Sequence, residues 1–193
     1  MPVAGRPRSF DRDAALLAAV EEFWRSGYDG SSIARLTAAM GITAPSLYAA
    51  FGDKQHLFDE ASALYFDRAI AAVDDATALP TVEQAIARVL DDTAHAHTGP
   101  TTPPGCLMLT EPRLGAQRET LRARLQARLD QGMRDGDLAD TVNSNQFAEF
   151  LVAVLRGMSG CARDGGSTQD LLNIADTAMT ALRAVSTAAQ DTA

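Results

Sequence analysis

The sequence predicts an all-α protein built from about nine helices. Its apolar residues recur at the three- and four-residue spacing of a helix, and no stretch alternates apolar and polar residues long enough to form a sheet. Alanine, the strongest helix former, supplies 36 of the 193 residues. With 46% hydrophobic and 22% charged residues, the composition is that of a globular protein, which excludes collagen-like and disordered chains.

Nothing in the sequence predicts a membrane or secreted protein. The longest unbroken apolar run, the seven residues 14–20, is far too short to cross a bilayer. The N-terminal stretch contains two arginines and no apolar segment, so it does not read as a signal peptide. The two cysteines, Cys106 and Cys161, cannot build a disulfide framework. We therefore expect a cytoplasmic protein.

Capping residues and glycines divide the first part of the chain into short helices. Asp11 can cap a first helix, and Ser31 or Ser32 can cap a second helix over Ile33–Met40. Gly41 follows that second helix directly, which is typical of a helix C-terminus.

The next segment has the spacing of a helix-turn-helix. A third helix is predicted to start after Thr43, and only three residues, Gly41 to Thr43, separate it from the second. Leu36 and Leu47 supply apolar contacts between these two helices. Such a unit presents its second helix to the major groove of DNA, whereas the alternative is an ordinary helical hairpin.

The rest of the chain is predicted to be a larger helical bundle. A fourth helix begins at Asp53, and the helical pattern breaks at Leu79 and Pro80. Residues 98–105 are too rich in proline and glycine to be helical. The remaining helical segments cover residues 81–97, 106–114, 117–134, 143–162 and 168–188.

Four short strings follow one another through the helix-turn-helix segment. They are residues 23–28 (FWRSGY), 36–43 (LTAAMGIT), 46–51 (SLYAAF) and 52–58 (GDKQHLF). Together they resemble the TetR family of bacterial one-component regulators.

The resemblance covers residues 11–58 and has consequences for the whole chain. It implies a three-helix DNA-binding domain of the helix-turn-helix type over residues 1–58, with an N-terminal arm. Residues 59–193 would then form a helical ligand-binding and dimerisation domain. Ala49 and Ala50 stand where the family often has bulkier polar residues, which removes possible DNA contacts.

The net charge of −8 argues against nucleic-acid binding, so any DNA-binding surface has to be local. Lys54 is the only lysine, and arginine supplies the other 16 basic residues. Arg6 and Arg8 precede the first helix, where a basic arm can reach phosphates or the minor groove. The alternative is a solubilising tail.

The resemblance also assigns DNA contacts to individual residues. It implies that Tyr48 and Lys54 contact phosphates, and the exposed position of Arg35 on the second helix would allow a further contact. The alternatives are a core aromatic at Tyr48 and solvated surface charges at Lys54 and Arg35. The implied base-reading cluster, in which Thr43 can also cap the helix, consists of Thr43, Ala44, Pro45 and Ser46.

The later helices carry wide apolar stripes that fit either a dimer interface or the core of one chain. The candidate interface residues are Leu151, Val154, Leu155, Met158, Leu171, Ala175, Ala178 and Leu182. A second group, rich in methionine and phenylalanine, suits an apolar inducer pocket and an ordinary core equally well. These candidate pocket residues are Leu107, Met108, Met133, Phe147 and Phe150.

Three further residues invite chemical hypotheses. His95 and His97 are two residues apart on a predicted helix, which is the wrong spacing for a shared metal. We expect them at the surface or at a pocket rim, and we expect no metal site. Cys106 precedes a short helix, where a thiolate would be favoured and could sense electrophiles or oxidants. The alternative, which we favour, is a small buried hydrophobic residue.

These observations together predict a ligand-responsive transcriptional regulator that works as a homodimer. In this hypothesis it is a repressor, released from double-stranded operator DNA by a small-molecule inducer. The sequence contains no nucleophile–base motif and no glycine-rich phosphate loop, so we predict neither an enzyme nor a cofactor. The alternative, which the net acidity favours, is a helical small-molecule-binding or interaction protein without sequence-specific DNA binding.

Overall fold

The computed structural model describes residues 10–187, and every regular element in that range is helical. This confirms the predicted all-α class. A single 3-10 turn, Pro112–Leu114, lies between the sixth and seventh helices. The α-helices of the described range are α1 (Arg12–Gly30), α2 (Ile33–Met40), α3 (Ala44–Phe51), α4 (Lys54–Thr77), α5 (Val82–Thr98), α6 (Leu107–Thr110), α7 (Gly115–Asp135), α8 (Ser144–Arg163) and α9 (Thr168–Thr187).

None of the helices within residues 10–187 combines the length and the apolar character needed to cross a bilayer. The same range contains no group of three or more His, Cys, Asp or Glu side chains placed to hold a metal ion.

The chain divides into two compact units, Met1–Tyr65 and Phe66–Ala193, and the division falls inside α4. It therefore lies beyond the boundary between residues 58 and 59 that the sequence led us to expect. Ala61 is completely buried, and the ring of Tyr65 makes an edge contact with Trp24 at 5.0 Å between centroids. These contacts extend the first unit past the segment that resembles the family.

The caps of the first unit follow the local sequence. The Asp11 carboxylate accepts hydrogen bonds from the backbone N–H groups of Asp13 and Ala14. Ser32, rather than Ser31, caps α2, because its hydroxyl accepts from the N–H of Arg35 at 3.2 Å. The Ser31 hydroxyl is buried instead and donates to the carbonyl of Gly27 at 2.7 Å.

The core of the first unit joins its helices through aromatic and aliphatic side chains. Leu36 from α2 and Leu47 from α3 are completely buried, as the helix-turn-helix pattern predicts. Phe23 from α1 meets Phe58 from α4 edge to face, with 5.1 Å between ring centroids. The first and fourth helices thus meet in the same core as the helix-turn-helix.

The second unit is a bundle in which α5 packs against α8 and α9, and α7 packs against α8. Leu121, Leu125 and Leu129 of α7 are buried, as their four-residue spacing predicts, whereas Met133 is half-buried.

Arg128 ties the turn between α4 and α5 to α7. Arg128, which is 7% exposed, donates through Nη2 to the carbonyl oxygens of Leu79 at 3.3 Å and Pro80 at 3.1 Å. The same nitrogen lies 3.4 Å from Asp137 Oδ2, which also accepts from the N–H of Val82 at 2.8 Å.

The apolar stripes of α8 and α9 are largely buried within the single chain. Because the two helices pack against each other and against α5, the single chain already buries these side chains. They form part of its own core, and Val154 is half-buried. The buried members are Leu151, Leu155, Met158, Leu171, Ala175, Ala178 and Leu182.

Candidate functional site

The first turn of α3 is open to solvent and is fixed by its own hydroxyl groups. The Thr43 hydroxyl accepts from the N–H of Ser46 at 3.3 Å, and the two hydroxyl oxygens lie 2.9 Å apart. Thr43 and Pro45 are exposed, and Ala44 and Ser46 are half-buried. All four predicted base-reading residues therefore lie together at one end of the helix, next to accessible polar atoms.

Tyr48 continues this surface along α3. Leu47 and Phe51 are buried and mark the side of α3 that faces the core. Tyr48 is 49% exposed, which is unusual for a large aromatic side chain and excludes the core role considered above.

Arg12 at the start of α1 anchors the other end of α3. Its Nη2 donates to the two carboxylate oxygens of Glu60 at 2.9 and 2.7 Å and to the carbonyl of Ala50 at 3.4 Å. The guanidinium carbon also lies 4.3 Å from the centroid of the Phe51 ring. Arg12 thus satisfies a carbonyl in the last turn of α3 while it is paired to α4, a role that the sequence reasoning missed.

Lys54, in the first turn of α4, contacts an aromatic ring of α1. Its Nζ lies 4.2 Å from the centroid of the Tyr28 ring. The preceding residue, Asp53, accepts a hydrogen bond from the N–H of His56 at 2.8 Å, and its Oδ1 lies 3.0 Å from His56 Nδ1. The hydrogen bond from the His56 backbone is the main reason that the pKa of Asp53 is lowered.

Arg35 is engaged within the protein. Its Nε lies 2.7 Å from a carboxylate oxygen of Glu22, a residue that is almost fully buried. Its Nη2 donates to the Ser26 hydroxyl at 2.7 Å. The guanidinium therefore joins α2 to α1, and a phosphate would have to compete with a close carboxylate. Arg6 and Arg8, the predicted arm, lie outside the described residues.

The five candidate pocket residues do not share one environment. Leu107 and Met108 are buried in α6, and Met133 is half-buried in α7. The rings of Phe147 and Phe150 lie 5.4 Å apart on α8, and Phe150 is 39% exposed.

A separate pocket of about 690 Å³ lies along α5 and α9, and none of the five candidate pocket residues lines it. Apart from Ala175, its lining residues are ones that the sequence reasoning did not select as site residues. They include Leu79, Pro80, Arg88, Leu172, Met179 and Arg183.

Two chemically interesting residues, His97 and Cys106, are buried. His97 is 7% exposed, which corrects the prediction of a surface or rim position. Burial, together with the nearby positive charge of Arg163, lowers the pKa of His97 to about 4. Cys106 is 4% exposed, and its N–H donates to the Ser159 hydroxyl at 2.8 Å. The structure therefore favours a buried hydrophobic role for Cys106 over an accessible sensor thiol.

Comparison with known proteins places this geometry in a family. The family profile described as "Bacterial regulatory proteins, tetR family" matches residues 15–61. The chain is 37% identical to the HTH-type transcriptional repressor ComR of Escherichia coli (strain K12), over 91% of this chain and 90% of the relative. It is 30% identical to the HTH-type transcriptional repressor BdcR of the same organism, over 95% and 94%.

A solved structure is also similar over nearly the whole chain. It is a cysteine-substituted mutant of the TetR family transcriptional regulator CifR in complex with a 26-base-pair operator DNA. The two structures superpose with a TM-score of 0.88 at 36% sequence identity, covering 92% of this chain and 100% of that one.

Proposed function

This chain belongs to the TetR family of bacterial transcriptional regulators, and we propose that it is a repressor that binds double-stranded operator DNA and is released from it by a small-molecule inducer. The similar repressors and the operator-bound similar structure support this function. The protein is thus a DNA-binding regulator and not an enzyme. Because its target is chromosomal DNA, we place it in the bacterial cytoplasm.

The observation that carries the proposal is the open first turn of α3. The hydroxyl groups of Thr43 and Ser46 can exchange hydrogen bonds with base edges in the major groove. Ala44 and Pro45 present apolar atoms that suit thymine methyl groups. Arg12 and the buried residues of α3 hold the opposite end of the helix, so this turn is presented by a fixed element.

Phosphate contacts would orient this helix on the duplex. Tyr48 offers a phenol hydroxyl on an exposed side chain, and Lys54 offers a positive charge in the first turn of α4, where backbone N–H groups also favour an anion. These two residues supply affinity that is independent of sequence, whereas the first turn of α3 supplies the sequence preference.

The regulator acts as a homodimer, because two recognition helices must meet successive major grooves about 34–36 Å apart. We propose that α8 and α9 form the interface through residues that the chain leaves accessible. Val185 of α9 is an exposed apolar side chain, and Gly157 of α8 is exposed with no atom in the way of a β-carbon.

The inducer would bind within the second unit. The candidate lining residues remain those that the sequence suggested: Leu107, Met108, Met133, Phe147 and Phe150. The partial exposure of Phe150 beside Phe147 supports an apolar entry point on α8. Release requires that the ligand binds more tightly to a conformation that does not fit the operator.

A gel-shift experiment tests the proposal directly. The purified protein is titrated against DNA from its own upstream intergenic region, with competitor DNA present. Tyr48→Phe and Lys54→Ala should each weaken binding, since each removes one phosphate contact from both heads of the dimer. The matched control is Tyr65→Phe, which changes a half-buried tyrosine of the same unit outside the site.

Specific binding that the two site variants weaken and the control leaves intact would support the proposal. Absence of specific binding at low salt, with neighbouring promoters also tested, would contradict it. That result would favour the helical small-molecule-binding or interaction protein.

A further inference from the structure

We propose that Tyr28 is a positioning residue for DNA binding, whose ring holds the Lys54 ammonium group ready for a phosphate. This inference rests on the proposed DNA-binding function and assigns a task to a residue that makes no DNA contact itself. Lys54 Nζ lies 4.2 Å from the centroid of the Tyr28 ring. That distance lies well within the range of about 6 Å for a cation–π interaction.

The ring of Tyr28 is itself fixed. It stacks with Phe23 at 6.3 Å between centroids and meets Phe58 edge to face at 5.1 Å. Both partners are buried in the core of the first unit. Gly27 interrupts the helical conformation of α1 immediately before Tyr28, with a φ of 69° that favours glycine. A rigid aromatic surface is thus placed beside the start of α4.

The interaction matters because a lysine side chain is otherwise free to sample many conformations. Its four-carbon stem loses rotamer freedom when it is held in one arrangement. The Tyr28 ring restricts that sampling before DNA arrives, so less ordering remains to oppose phosphate binding.

Lys54 also differs from the other cations of its unit in the charge of its partner. Arg12 lies 2.7 Å from a carboxylate oxygen of Glu60, and Arg25 and Arg35 lie 3.8 and 2.7 Å from carboxylate oxygens of Glu22. Arg12 also lies on an aromatic ring, that of Phe51, but among the arginines and the lysine of residues 10–65 Lys54 is the one with an aromatic partner and no carboxylate partner. An aromatic partner orients the ammonium group without cancelling its charge, so the full charge remains available to a phosphate.

Salt-dependent DNA binding tests this role. The dissociation constant for the operator fragment is measured over a range of salt concentrations for wild type, Lys54→Ala, Tyr28→Leu, Tyr28→Phe and the double variant of Tyr28→Leu with Lys54→Ala. Each lost phosphate contact should flatten the plot of log affinity against log salt by about 0.9. Tyr65→Leu is the matched control, because it removes a half-buried tyrosine that contacts Trp24 instead of Lys54.

We expect Tyr28→Leu to weaken binding about two- to fivefold for each head and to flatten the salt dependence in the direction of Lys54→Ala. Tyr28→Phe keeps the ring and should restore wild-type behaviour. In the Lys54→Ala background, Tyr28→Leu should have no further effect on the salt dependence. The inference would be overturned if Tyr28→Leu lowered the affinity without changing the slope of log affinity against log salt. It would also be overturned if Tyr28→Leu lowered the affinity equally in wild type and in the Lys54→Ala background.

A spectroscopic measurement makes the test independent of how well Tyr28→Leu folds. Lys54 is the only lysine, so selective isotope labelling of lysine yields one set of signals. The Tyr28 ring current should move the Lys54 Hε resonances upfield in wild type and in Tyr28→Phe. Hε shifts equal to those of unstructured lysine would overturn the inference.

The two proposals fail in different ways. If wild type does not bind DNA specifically, both fail. If wild type binds and Lys54→Ala weakens it, while Tyr28→Leu behaves as wild type, the positioning role of Tyr28 fails and the function stands.

Discussion

The guanidinium of Arg35 lies 2.7 Å from a carboxylate oxygen of Glu22, whose side chain is 7% exposed. Arg35 is the closer of two arginine partners, because Arg25 lies 3.8 Å from the other carboxylate oxygen. The Arg35 side chain itself is half-exposed. Arg35, which the sequence suggested as a phosphate contact, is thus the main partner of a buried carboxylate.

We predict that Arg35→Ala lowers the free energy of unfolding by about 1–2 kcal/mol, because it leaves the buried Glu22 carboxylate with one distant partner. Urea denaturation measures the change. Arg25→Ala is the matched control and should have a smaller effect, since that side chain is more distant from Glu22. Adding Glu22→Gln to Arg35→Ala should recover part of the loss; no recovery would show that the ion pair is not the cause.

Gly132 in α7 has no room for a side chain. A β-carbon there would overlap Val82 Cγ2 and Asp137 Oδ1 and lie 3.3 Å from Leu138 Cβ. We predict that Gly132→Ala destabilises the protein by about 1–3 kcal/mol, despite the better helix propensity of alanine. Gly115→Ala is the control in the same helix, because its nearest neighbour is 3.7 Å away. Thermal unfolding would contradict this prediction if both variants were equally stable.

His97 should make stability depend on pH. Its pKa is lowered to about 4 in the folded protein by burial and by Arg163, whereas its ordinary value is 6.5. Between these values the unfolded chain binds a proton that the folded protein does not, so stability falls as the pH drops from 6.5 to 4. The loss contributed by His97 should approach about 3 kcal/mol.

Urea denaturation across this pH range separates the contribution of His97 to the pH dependence of stability from the contributions of other titratable groups. His97→Gln should flatten the dependence, whereas His95→Gln, an exposed histidine two residues earlier, should leave it nearly unchanged. A His97→Gln variant with the full wild-type pH dependence would assign the loss of stability to other residues.

The two cysteines should differ in reactivity. Cys106 is buried and Cys161 is partly exposed. In a Cys161→Ser variant, we predict that Cys106 reacts slowly with a thiol reagent such as dithionitrobenzoate in the folded protein and rapidly after denaturation, because only unfolding exposes its sulfur. The reciprocal variant, Cys106→Ser, reports on Cys161. Fast reaction of Cys106 in the folded state would contradict this prediction and support the sensor hypothesis.

Much of the fold could be predicted because its signals are local. The caps at Asp11 and Thr43 and the turn at Gly41 depend on neighbouring residues along the chain. The first and third helices begin after those two caps, and the second ends at Gly41, as predicted. The choice between Ser31 and Ser32 stayed open because both can cap a helix. The buried hydrogen bond of Ser31 to Gly27, which decided it, depends on how α1 ends.

The candidate site was predicted in part, for the same reason. The first turn of α3, with Thr43 and Ser46, follows from the helix-turn-helix spacing and the family resemblance. No local sequence pattern predicts the partners of Arg12, Arg35 and Lys54, because these partners come from other elements of the chain.

The sequence by itself determined the helices, the helix-turn-helix and the residues at its open end, because hydrophobic period and capping chemistry act between neighbours within a few residues. Only the tertiary structure decided which side chains those helices bury. It placed the stripe from Leu151 to Leu182 in the core of one chain, buried His97 and set Lys54 on Tyr28. An apolar stripe has the same sequence pattern whether it packs against its own chain or against a partner, so the pattern alone does not show which of them buries it.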